Sequence, residues 1–485
     1  SLVQLKGCDG YIGQVWTGTA RTHNQYKGVP KERTFETAFC EYGSLHKLVR
    51  SKGRRMWYLN DPVEDSPKHS WADYQRNWEC TLVASLLWPD MWRFEVMPWP
   101  SRVFTGYFPS KERSSENPNE EIKNILIPAD YATEVVTVIN VLNDMKQSDV
   151  QRDMGIRGIG VLVSDTMMFQ RGEPSPSDLY LGSFYGLSLP LIKRGIPVEP
   201  VQYENVTIDK YLDPYKVLFL TYEGMKPPSP ELHVALSKWV RKGGILIFVD
   251  ADSDPYNSVN EWWNNGKLSY KLPRIHLFEQ MEQGTATKPG IYPFGDGALI
   301  YSAASPAKLT EQADGDEPIV NLAKQACELA DVEWKETNYF IMRRGPYLIA
   351  AGLDESPKTT TREVKGLFVD LFSPTLDITR KIAVKPNDRM LYLDVNKTGR
   401  TAPAALASAS QIVGEKKSQN SVEFHSEGPA KTMCATRILL PNAPKSVKIG
   451  DYTPEQVKSD WDADSKTLLL RYPNSPEGLV VRVEF

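Results

Sequence analysis

The feature that most constrains this 485-residue chain is a change of pattern partway along it. Up to about residue 335, short apolar runs alternate with amphipathic helical stretches; beyond it the helices stop and only strands remain. Alternating strand and helix packs as a parallel sheet covered by helices, whereas a run of short strands packs as antiparallel sheets. The chain therefore reads as α/β followed by all-β, and its length allows roughly three domains.

The first unit, about residues 1–155, is a βα repeat. Gly10–Trp16 reads as a strand, Phe35–Val49 as a helix ended by Gly53, and Arg55–Leu59 as a second strand leading into Asn60-Asp61-Pro62. Ser70-Trp-Ala-Asp73 is a helix-start signal ahead of Tyr74, Trp78, Leu82 and Leu86. A third strand covers Met91–Met97, a third helix runs near Pro128–Lys146, and a fourth strand is expected if one lies near residue 150. The second unit, 156–335, has buried strands at Gly158–Val163, Val217–Thr221 and Ile245–Asp252. Its clearest helix has Ser229-Pro230 at one end and Gly243-Gly244 at the other. That grammar fits an open parallel sheet of flavodoxin type. The third unit, 336–485, has many short strands between turns and predicts a β-sandwich.

Composition excludes several classes. A net charge of −4 gives no electrostatic reason for a nucleic-acid partner or an anionic membrane surface. No apolar run approaches the roughly 18 residues of a membrane span. Five widely spaced cysteines and scattered histidines offer no zinc site, and no metal or organic cofactor is implied. The second unit contains no cysteine between Cys80 and Cys327 and no Gly-x-Ser-x-Gly elbow, so it is not a cysteine or serine hydrolase. A structural or assembly role remains for it.

Three strand ends carry candidate chemistry, because α/β barrels place reacting groups there. They are the segments around Trp16, around Asn60 and Asp61 with Glu64 and Asp65, and around Glu95 with Trp99. A strand-borne Glu95 among aromatic residues suits the nucleophile of glycoside hydrolysis, which needs two carboxylates and groups that hold the sugar. Asn60 and Asp61 could bind hydroxyls, and Trp16 or Trp99 could stack on a ring. Plainer readings stand beside these: Glu95 could pair with Arg93 or Arg102, and loop acids commonly cap turns.

The segment Phe94-Glu-Val-Met-Pro-Trp-Pro-Ser-Arg-Val-Phe104 resembles the nucleophile region of family 42 β-galactosidases, and residues 183–201 resemble the trimerisation domain that follows their barrel. The order of domains is also similar to that of family 164 β-mannosidases. The resemblance implies a partial (β/α)8 barrel, an amidotransferase-like α/β domain and a β-sandwich. It also implies a retaining exo-acting enzyme on a carbohydrate substrate, assembled as a homotrimer. It places the nucleophile at Glu95 and the acid/base on an Asn-Glu pair at an earlier strand end. The chain offers no such pair ahead of Trp16, so it is expected to begin near strand five of eight and to lack the acid/base. A non-catalytic carbohydrate-binding scaffold on the same frame is the competing expectation.

Overall fold

The computed structural model describes residues 6–15, 17–50, 52–64, 69–96, 99–117, 119–167, 178, 180–266, 268–284 and 288–485. It is a mixed α/β chain with many β-sheets and few helices. Strands β1 (Gly10–Gln14), β2 (Arg55–Asn60) and β3 (Phe94–Val96) pair in that order, both times in parallel. Helix α1 (Thr34–Val49) connects β1 to β2, and α2 (Trp71–Leu86) connects β2 to β3. The Ser70 hydroxyl accepts from Asp73 N at 3.4 Å and caps α2, satisfying one of its orphan amides. Tyr42 of α1 packs on Tyr58 of β2 with ring centroids 4.5 Å apart. A third helix, α3 (Ala129–Leu142), sets Tyr131 edge-on to Trp71 and Trp78.

The strand expected near residue 150 exists, as β4 (Val150–Asp153), but it does not extend the parallel sheet. It pairs antiparallel with residues 341–344, so it belongs with the strands at the far end of the chain. A second sheet follows from β5 (Ile159–Val163), β6 (Glu199–Gln202), β7 (Val217–Leu220), β8 (Ile245–Val249), β9 (Gly290–Phe294) and β10 (Gly297–Ser302). Its order is β6-β5-β7-β8-β10-β9, parallel except for the β9–β10 pair. Helix α4 (Gly182–Ile192) is buried along its whole length, which its nearly unbroken apolar sequence requires.

The helix-free tail divides in two. Strands β11 (Tyr339–Arg344), β12 (Tyr347–Gly352), β13 (Arg362–Asp370), β14 (Ile378–Val384) and β15 (Arg389–Asp394) join β4 in one antiparallel sheet, ordered β14-β13-β15-β12-β11-β4. One face of it packs on α1 and α2: Phe340 lies 5.3 Å from the Phe39 ring, and the buried Arg344 donates to the Leu86, Met91 and Met145 carbonyls. Residues from Ala404 onward form two four-stranded antiparallel sheets. Val422, Phe424, Ile438, Leu470 and Val481 from the two sheets share one apolar core.

Candidate active site

Register decides which side chains of the parallel sheet share a face, because paired residues point the same way and successive ones alternate. Tyr58 and Asn60 face the helices, through Tyr42. Gly13 does too, since a Cβ there would meet Leu45 of α1 at 2.7 Å. The opposite parity carries Gln14, Leu59 and Glu95, which lie in register across β1, β2 and β3. A row below are Ile12, Trp57 and Arg93, with Arg93 over the Trp57 ring at 5.5 Å. Helices α1 and α2 do not cover this second face; Ile12 is 58% exposed on it, whereas Leu59 at its centre is 8% exposed.

Glu95 thus sits at the carboxyl end of a parallel strand, partly buried, on the open face. The two arginines that could have made it a structural residue are engaged elsewhere. Arg93 stacks over Trp92 at 3.8 Å, and Arg102 donates to Asp61 Oδ2 at 2.8 Å and to the Val63 carbonyl at 3.2 Å. Among the described residues no hydrogen bond or ion pair reaches the Glu95 carboxylate.

The other sequence candidates scatter. Asn60 is fully enclosed on the helix side: its amide donates to Tyr42 OH at 3.1 Å and accepts from Ser85 Oγ at 3.4 Å. Asp61 is buried in the loop after β2, where Oδ1 accepts from Val63 N at 3.3 Å and Oδ2 takes Arg102. Its loop is pinned further by Tyr131, whose hydroxyl donates to the Pro62 carbonyl at 2.7 Å. Trp99, 65% exposed, precedes the short helix Pro100–Phe104 that carries Arg102. Trp16 and Asp65 lie outside the described residues. Glu64 is buried against Arg21, whose Nε donates to Oε1 at 2.6 Å.

Sequence reasoning missed Arg21, and considered Arg102 only as a partner of Glu95 rather than of Asp61; these are the cations that organise these loops. No local pattern marks them, because their partners lie some forty residues away. His69, Asp73 and Glu112 bring one donor atom each within 4.8 Å of one another, a span that a metal ion could fill. The two Asp73 oxygens already accept from Arg21 and Arg76, however, and Glu112 Oε1 accepts from Ser70 N at 2.6 Å. Two guanidinium groups on the central carboxylate make the cluster an ion-pair network at the start of α2.

No family model matches the chain, and no curated protein matches it. Among solved structures it is similar to a β-galactosidase from Bacillus circulans sp. alkalophilus, at 13% identity over 54% of this chain and 44% of that one, with a TM-score of 0.31. An apo exo-carrageenase GH42 from Bacteroides ovatus gives 10% identity over 96% and 47%, TM-score 0.31. A rhamnosidase from Novosphingobium sp. PP1Y gives 10% over 98% and 46%, TM-score 0.37. The chain spans less than half the length of each of these proteins. Likenesses this distant fix neither a fold nor an activity for it.

Proposed function

We propose that this chain serves a retaining exo-β-glycosidase of galactosidase or mannosidase type, with Glu95 as nucleophile. The observation that carries the reading is the Glu95 carboxylate at the end of a parallel strand, on the sheet face turned away from α1 and α2, with no hydrogen bond or ion pair to it among the described residues. In this chemistry Glu95 attacks the anomeric carbon and expels the aglycone, which takes a proton from a second carboxylic acid; water then cleaves the glycosyl ester with that second group as base. Asp61, held by Arg102, positions the loop beside the site, and Trp99 offers a ring to the sugar face. The resemblance of residues 94–104 to a family 42 nucleophile segment supports the same assignment. In this reading β1 to β3 are barrel strands, the second sheet belongs to an assembly domain that makes a trimer, and the two four-stranded sheets form a β-sandwich.

One observation favours a second reading, a carbohydrate-binding scaffold. Among the described residues, Glu95 is the one carboxylate in register on the open face at the strand ends, where hydrolysis needs two. Treatment with 2-fluoro-β-galactosyl and 2-fluoro-β-mannosyl fluorides, followed by peptide mass spectrometry, separates the two. A covalent adduct on Glu95, lost in Glu95→Gln, is expected of the enzyme, and the sugar that labels gives the substrate class. An adduct on another carboxylate sinks the site assignment, and no adduct from either compound favours the scaffold.

A further inference from the structure

We infer that Gln14 is a specificity-determining residue of the same site, reading a ring hydroxyl of the sugar whose anomeric carbon lies at Glu95. The inference rests on the glycosidase reading and goes beyond it by assigning a residue to substrate choice. Its basis is the register row Gln14–Leu59–Glu95, in which three adjacent parallel strands present a carboxamide, an apolar side chain and a carboxylate on one face. Two strand spacings separate the ends of that row, roughly 10 Å at the backbone. A pyranose with its anomeric carbon at Glu95 reaches along the row above the buried Leu59, which is 8% exposed, and brings its far hydroxyls towards the exposed Gln14.

The chemistry of the side chain suits the task. A carboxamide both donates and accepts, so it can satisfy a hydroxyl in either role without adding charge beside the nucleophile. Gln14 is exposed, and among the described residues nothing holds its amide, in contrast to Asn60, whose amide is spent on Tyr42 and Ser85. Parity explains the difference: Asn60 falls on the helix side and Gln14 on the open side. A site that hydrogen-bonds a hydroxyl discriminates epimers, because the wrong one leaves a polar group unpaired.

The test is an NMR titration of the whole chain with isofagomine-type iminosugars of galacto and manno configuration, whose ring cation pairs with a carboxylate nucleophile. Glu95→Gln should weaken both compounds alike. Gln14→Ala should weaken the preferred epimer by about three- to tenfold, the worth of one hydrogen bond, and leave the other unchanged, with an unaltered melting temperature. If Gln14→Ala changes both affinities equally, or neither, while Glu95→Gln still weakens binding, the assignment of Gln14 is wrong and the glycosidase reading stands. If the unaltered chain binds neither iminosugar, the glycosidase reading itself is overturned and the role of Gln14 falls with it.

Discussion

At the scale of single residues, an ion pair helps to hold the loop after β2. Asp61 is buried, and Arg102 supplies both its counter-charge and a bond to the Val63 carbonyl. Removing the cation takes this counter-charge from a buried carboxylate and a donor from the Val63 carbonyl, so Arg102→Ala should destabilise the chain by about 2 kcal/mol, read from urea unfolding at pH 7. It should also slow any labelling of Glu95, through displacement of the loop rather than through the chemistry. The strand position of Glu95 was legible in the sequence because its signal is local: a carboxylate inside an aromatic, strand-forming run. Asn60 looked equally good by position. Its burial against Tyr42 is a tertiary fact, and so are the roles of Arg21 and Arg102, so no window of neighbours could reveal them.

At the scale of elements, α2 and α3 meet across two carboxyl groups. Glu79 lies beside Glu134, which is fully buried; Glu134 Oε2 accepts from Gln75 at 2.5 Å, and Oε1 has no hydrogen-bond partner among the described residues. Burial raises both carboxyls, Glu79 from 4.5 to about 7, and their mutual repulsion and the nearby Asp370 raise Glu134 further against the relief from Gln75. The folded chain therefore holds protons that the unfolded chain releases. The pair's stability is fully present below about pH 4.5 and is lost as pH rises through 7. The melting temperature should fall between pH 5 and 8, and Glu134→Gln should flatten that fall. An unchanged slope in the variant would refute the assignment. Helices such as α2 were readable from caps and spacing. The place of β4 was not, because antiparallel pairing with a strand far along the chain leaves no trace in the four residues themselves.

At the scale of the whole molecule, one buried lysine ties three layers together. Lys193, the residue that caps the C-terminus of α4, is fully enclosed and meets Glu36 of α1 at 2.5 Å, Asp354 at 2.9 Å and Glu355 at 3.1 Å in the loop after β12. Burial opposes its charge, but the three acids outweigh that and hold Lys193 above its usual range. Burial likewise opposes ionisation of Glu355, yet Arg33 and Lys193 bring it down to about 2. Lowered carboxylates stabilise the fold above their unfolded pKa and cease to as pH falls towards 2. Lys193→Met should therefore cost about 3–5 kcal/mol at pH 7, with the deficit shrinking in urea melts at pH 3.

The pairing of β4 with β11 has a consequence for how the chain is made. The second sheet, with its helices, is threaded between two neighbouring strands of the antiparallel sheet. Gly155 N donates to the Gly195 carbonyl at 2.7 Å and Ile156 N to the Lys335 carbonyl at 3.1 Å, so entry and exit of that module lie side by side. During synthesis Val150-Gln-Arg-Asp153 leaves the ribosome long before its partner and must wait, unpaired, while the inserted module folds. Its short and polar sequence protects it from pairing wrongly in the interval. Once the module has brought its own ends together, the loop to be closed is no longer than a few residues, and the last strand pair forms as a local event.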